Sequence, residues 1–262
     1  MIPQADIIAW RAKAPWKTVA QVEQDLIICR TLVELFSQEA LREQVVFRGG
    51  TALYKLHLQP PARYSEDIDL VQIKAGPNKS IIEAMRRVLD ELLGKPQYDV
   101  KERGTTLVYR VQSEIPPVTK LRLKLEINTR EHFSVQPIQP HPFAVESGWF
   151  TGKCVVPSYH LNELLGTKVR ALYQRNKGRD LFDLWYGITV GKATPAVIVS
   201  IFQKYLAADG LTISQREFRQ NLAAKIENTD FLADTEDLLR PGLDYDHHKA
   251  YHFIEEQVVS LL

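Results

Sequence analysis

Hydrophobic and polar positions follow two different periods along this 262-residue chain, and the change from one to the other divides it. Near the start, Val22, Leu26, Cys29, Val33 and Phe36 recur at three- and four-residue intervals, which predicts a helix over 19–36 with one buried stripe. Trp10, Pro15 and Trp16 precede it as an irregular arm. Val45-Val46-Phe47 reads as a short strand ended by Gly49-Gly50. A short helix then runs over 52–58, stopped before Pro60-Pro61 because proline disfavours helix in the residue preceding it. A second strand is expected over 67–73, an amphipathic helix over 80–93, and strands over 107–112 and 120–129. In the last of these Leu121, Leu123, Leu125 and Ile127 alternate with Arg122, Lys124, Glu126 and Asn128, giving one buried and one polar face.

Residues 134–157 are rich in proline and glycine and read as loop, with a short strand near Cys154-Val155-Val156. From Ser158 the pattern turns helical. Ser158 is placed as the cap of a helix carrying Leu161, Leu164, Leu165 and Val169, ended by Asn176-Lys177-Gly178, and a second helix starts near Arg179. The expected fold class is α+β: a mixed sheet with flanking helices over 1–157 and a mostly helical domain over 158–262.

Composition narrows the function classes. A net charge of +1 does not mark the whole chain as a nucleic-acid binder, but the charge is uneven. Lys168, Arg170, Arg175, Lys177 and Arg179 fall in a stretch with no acid, whereas 227–246 holds seven acids against Arg240 alone. No apolar run approaches the ~20 residues that span a bilayer, and the first residues lack the basic and apolar regions of a signal peptide. Cys29 and Cys154 are expected as free thiols of a cytoplasmic protein. His247, His248 and His252 match no zinc spacing and read as surface residues.

Two segments carry candidate chemistry. Gly49-Gly50-Thr51 sits where a strand enters a helix, and the unpaired N–H groups there attract anions. A plain tight turn explains the same residues. Asp67 and Asp69, one residue apart on a strand, share a face, and two such carboxylates repel unless a cation joins them. Hard oxygen ligands suit Mg²⁺; pairing with Arg63 is the structural alternative. Glu126 is a third candidate metal acid if its strand lies beside the first, and a cross-strand ion pair with Lys124 explains it equally well. A phosphate cradle followed by a metal-binding acid pair points to nucleotidyl transfer. The candidate nucleotide-binding set is Gly49, Gly50, Thr51, Arg63, Ser65 and Lys168, the metal set Asp67, Asp69 and Glu126, and the RNA-binding set Arg175, Lys177 and Arg179.

The run Phe47-Arg48-Gly49-Gly50-Thr51-Ala52-Leu53 followed by Arg63-Tyr64-Ser65-Glu66-Asp67-Ile68-Asp69-Leu70 resembles the AbiEii/AbiGii-type nucleotidyltransferase toxins, the MenT-like group of the DNA polymerase β-like superfamily. The resemblance extends to Gln21–Leu26, to Lys168–Arg175 and to Gly178–Leu184. It implies a toxin of a toxin–antitoxin pair that uses Mg²⁺ to transfer a nucleoside monophosphate from an NTP to RNA, with the tRNA 3′ end as acceptor and a cognate antitoxin as partner. It also implies that Lys168 and Asp183 join Asp67 and Asp69 as catalytic residues and that the C-terminal domain completes the active site. An NTP-sensing module, a silent partner-binding protein and a nucleotidyltransferase acting on a protein hydroxyl are the competing readings.

Overall fold

The computed structural model describes residues 2–101 and 104–262. The chain forms two compact units: Met1–Ser134 with Ile138–Tyr159, and Val135–Pro137 with His160–Leu262.

The first unit opens with α1 (Gln4–Trp10), where an irregular arm was expected. Helix α2 (Val19–Phe36) starts in a capping box: Thr18 Oγ1 accepts from Gln21 N–H while the Gln21 side chain accepts from Thr18 N–H. Its buried surface is wider than one stripe, taking in Ile27, Ile28, Leu32 and Leu35 besides the predicted set. The short α3 (Glu39–Arg42) leads to strand β1 (Val45–Arg48). Here α4 (Gly49–Ala52) begins at the first glycine and runs on as a π-helical turn over Leu53–His57. The glycine pair is therefore the helix's first turn, not a linker before it.

Strand β2 (Asp67–Gln72), helix α5 (Lys79–Leu93) and strands β3 (Gln97–Lys101), β4 (Gly104–Gln112), β5 (Lys120–Asn128), β6 (Gln139–Glu146) and β7 (Thr151–Ser158) complete this unit. They form one seven-stranded mixed sheet in the order β3-β4-β5-β2-β1-β7-β6. The β2–β5 and β1–β7 pairs are parallel and the others antiparallel. One face buries Ile68, Leu70, Leu107, Tyr109, Leu123, Leu125 and Ile127, with α2 and α5 packed on strands of the sheet. Burial of each such side chain contributes ~1.5–3 kcal/mol.

Strand β6 stands where loop was expected, and β7 extends the short strand expected near Cys154-Val155-Val156 to Thr151–Ser158. Pro140 and Pro142 argue against a strand, but β6 is the sheet's outer edge, where a missing N–H donor costs no ladder bond. Strand β3, at the other edge, is exposed at every residue; its Tyr98 and Val100 alternate with Gln97, Asp99 and Lys101, but the run is only five residues long and buries neither apolar side chain.

The second unit is helical: α6 (Leu161–Gln174), α7 (Gly178–Thr189), α8 (Pro195–Ala208), α9 (Gln215–Ile226), α10 (Thr229–Ala233) and α11 (His247–Gln257). The cap of α6 is His160, whose Nδ1 accepts from Asn162 N–H; Ser158 instead ends β7 and donates from Oγ to Phe47 O at 2.8 Å. Buried Glu163 accepts from Val135 N–H, Gln136 N–H and the Tyr205 hydroxyl at 2.7–2.9 Å, which fastens the 135–137 segment to this unit. Among the described residues no helix is long and apolar enough to cross a membrane.

Candidate active site

Strands β1 and β2 run antiparallel with Arg48 opposite Asp69, so the glycine turn leaves β1 beside the acids. Gly49 has φ +80°, and a Cβ there would overlap Asp69 Oδ2. The turn's backbone and the Asp69 carboxylate are thus in direct apposition, which requires glycine. At Gly50 a Cβ would fall 2.5 Å from Arg63 Nη2 and 3.0 Å from Ser65 Oγ, so these two side chains form the floor of the turn.

Arg63 is 2% exposed, donates from Nη1 to Tyr64 O and lies over the Tyr54 ring at 5.0 Å. Its place is beneath the turn, supporting it, not at a surface open to a nucleotide. Thr51 corrects a further expectation. Its hydroxyl is buried, donates to Asp67 O and hydrogen-bonds Ser65 Oγ at 2.9 Å, so it ties the turn to β2 and is not presented to a phosphate.

Parallel pairing places Lys124 opposite Asp67 and Glu126 opposite Asp69, so the three acids and the lysine share one face. Lys124 Nζ stands 2.9 Å from Asp67 Oδ2 and 3.0 Å from Glu126 Oε2. Burial would lower the Lys124 pKa, but the two carboxylates outweigh it and the net shift is upward. Asp67 Oδ1, by contrast, is buried with no hydrogen-bond partner. An orphaned carboxylate oxygen inside an all-oxygen donor set fits a hard divalent cation. Even so, among the described residues no three His, Cys, Asp or Glu are gathered closely enough to hold a metal as they stand. Glu126, expected as the third metal acid, is engaged with the lysine.

Two cavities open on this face. One, of about 210 Å³, is lined by Arg48, Asp69, Thr106, Glu126 and Asn128, among others. The other, of about 670 Å³, adds Lys124, Arg122 and Gln97. Sequence reasoning missed Arg48, which forms an ion pair with Glu131 beside Asp69's strand.

A separate network holds the start of the unit. Asp25, 2% exposed on α2, accepts from Trp10 Nε1 and Trp16 Nε1 at 2.9 Å each and pairs with Lys55 Nζ at 2.7 Å. Lys55 lies on the π-helical turn that continues α4, so the two tryptophans, the acid and the turn form one connected support.

In the helical unit the break at 175–177 folds α7 back on α6. Lys168 Nζ lies 3.0 Å from Asp180 Oδ1 and 2.9 Å from Asp183 Oδ2, with both acids fully buried and Lys168 7% exposed. Arg175 donates twice to Asp180, at 2.6 and 2.7 Å. Burial raises the Asp180 carboxyl, but Lys168 and Arg175 reverse this and hold it below its usual range. Lys177 and Arg179 both pair with Asp234 at 3.2 Å, and Arg170 pairs with Asp209. The expected RNA-binding cations Arg175, Lys177 and Arg179 are therefore ion-paired inside their own unit, Lys177 and Arg179 sharing the single carboxylate of Asp234. Lys168, expected to bind nucleotide and act in catalysis with Asp183, is enclosed by carboxylates as this unit stands.

Solved structures share the fold. MenT4, a nucleotidyltransferase toxin from Mycobacterium tuberculosis H37Rv, superposes with a TM-score of 0.63 at 17% identity, covering 100% of this chain and 99% of that one. JHP933 from Helicobacter pylori gives 0.57 at 17% identity, covering 94% and 92%. No curated protein sequence matches. The family profile described as nucleotidyl transferase AbiEii toxin, type IV toxin–antitoxin system, matches residues 30–252. With the mixed sheet, the glycine turn and the paired acids all falling inside that match, the chain belongs to the AbiEii nucleotidyltransferase toxin family.

Proposed function

We propose that this protein transfers a nucleoside monophosphate from an NTP to an RNA acceptor, the tRNA 3′ end, and so blocks translation in the cytoplasm unless a cognate antitoxin restrains it. The observation that carries the reading is the apposition of Asp69 with the Gly49 turn, next to the orphaned Asp67 Oδ1. Backbone N–H groups of the Gly49–Thr51 turn bind the triphosphate, and the Asp25–Lys55 network with buried Arg63 keeps that turn rigid. Asp67 and Asp69, with Glu126 beside them, would hold Mg²⁺, which when bound supplies positive charge against the transferred phosphoryl group and the leaving pyrophosphate. Lys168 and Asp183 are assigned to holding α6 against α7.

Incubating the protein with each α-labelled NTP, Mg²⁺ and total tRNA tests the reading. Label should enter RNA with release of pyrophosphate, and Asp67→Asn and Asp69→Asn should abolish this while melting like the parent. Label in protein and none in RNA would move the acceptor to a protein hydroxyl. The Lys124 bridge favours a second reading, an NTP-binding regulatory module, because the acids already have a cation. Tight NTP binding with no pyrophosphate release would select it.

A further inference from the structure

Strands β4 and β5 place Arg110 directly opposite Arg122 on the polar face of the sheet, and both are exposed. Like charges directly opposite on a sheet destabilise it by a few tenths to ~1 kcal/mol. Along the same face of β5, Lys120 and Lys124 flank Arg122 at alternate positions, so four cations stand on two adjacent strands. Among the described residues no carboxylate pairs with Arg110 or Arg122; Arg110 donates only to the neutral Gln97 side chain, which tolerates but does not neutralise it. The neighbouring cavity of about 670 Å³, which Arg122 lines, continues past Lys124 and Glu126. One strand step further, Asp67 and Asp69 lie opposite Lys124 and Glu126. Positive charge that repels itself, left open beside the acid pair, is matched by a chain of phosphates leading to it.

We propose that the Arg110–Arg122 pair, with Lys120 beside it, is the track for the sugar-phosphate backbone of a single-stranded RNA acceptor, whose end is thereby led to Asp67 and Asp69. This rests on the function proposed above and adds where the acceptor binds. It also shifts RNA contact away from Arg175, Lys177 and Arg179, which are ion-paired with Asp180 and Asp234. RNA backbone binding is dominated by such cations and weakens with salt, at about 0.7 units of log–log slope per phosphate contact on a single strand.

The test measures anisotropy of a fluorescein-labelled 12-nucleotide single-stranded RNA over a salt series, with the full chain carrying R110Q/R122Q, and Mg-mant-ATP binding alongside. The double variant should bind the RNA roughly tenfold more weakly with a salt slope lower by about 1.4. It should keep its mant-ATP affinity and melt at or above the parent temperature, because a repulsion has been removed. R110K/R122K should retain most RNA binding. Unchanged RNA affinity and slope in R110Q/R122Q would overturn the proposal, as would lost mant-ATP binding with RNA binding intact, which would assign the pair to the triphosphate. If the parent protein labels RNA but the double variant labels it equally well, the track alone is wrong; if the parent labels no RNA, the functional reading itself fails.

Discussion

Asp69 presses its carboxylate against Gly49, at the one point in the turn where the backbone has φ +80° and any side chain would collide with it. The relationship fixes two things at once. The turn can approach an anion without a side chain intervening, and one of the two acids is held at its mouth.

Gly49→Ala should therefore be among the most damaging small substitutions in the chain. It combines a left-handed backbone penalty of ~1–3 kcal/mol with displacement of Asp69. Mant-ATP affinity and melting temperature should both fall. A conservative Asp69→Asn variant, which keeps the shape, should lose nucleotidyl transfer with little change in melting temperature.

Lys124 supplies charge between Asp67 and Glu126 that a divalent ion would otherwise bring. Lys124→Met should bind Mn²⁺ in the nucleotide-free protein more tightly, by roughly tenfold for ~1.4 kcal/mol of relieved competition. Electron paramagnetic resonance of free Mn²⁺ measures it directly. Equal or weaker Mn²⁺ affinity in a folded Lys124→Met protein would rule out that competition.

The Lys168–Asp180–Asp183–Arg175 cluster makes the helical unit acid-sensitive. Asp180 has a folded pKa held below its unfolded value, so its contribution to stability is present above the unfolded carboxylate range and is lost as pH falls through the folded value. Thermal melts of the parent should drop on acidification below about pH 4. Lys168→Met takes the shared cation from two buried acids, leaving Asp180 with Arg175, and should cost ~3–5 kcal/mol at neutral pH. A Lys168→Met protein as stable as the parent would contradict this.

Both thiols should be slow. Burial pushes Cys29 up to about 12 and Cys154 up to about 11, so little thiolate exists in the folded protein at pH 8. Ellman's reagent should report two thiols quickly in guanidinium and neither quickly in native buffer.

Much of the sheet could be read from the chain because β5 alternates strictly and α2 carries a strong helical period; both show in the structure over the residues expected. The acid pair was visible because strand spacing alone puts Asp67 and Asp69 on one face. What could not be read is which strands become neighbours. Glu126 stands opposite Asp69 only because β5 inserts beside β2, and Lys124 reaches Asp67 for the same reason. Likewise the run from Lys168 to Arg179 contains no acid, and only the fold brings Asp209 to Arg170 and Asp234 to Lys177 and Arg179. The buried hydroxyl of Thr51 and the position of Arg63 under Gly50 depend on tertiary packing that local pattern does not encode.

The parallel β2–β5 pairing has a consequence in time. A hairpin assembles as it is made, but β2 must wait while α5, β3 and β4 are synthesised before its partner exists, and closing that long loop is the entropic cost that slows such topologies. On the ribosome, therefore, an emerging chain holds Asp67 and Asp69 with no Glu126 or Lys124 beside them, and the polar face comes together only after β5 has left the exit tunnel. The four charged groups of that face, Asp67, Asp69, Lys124 and Glu126, are thus gathered by the closing of one strand pair.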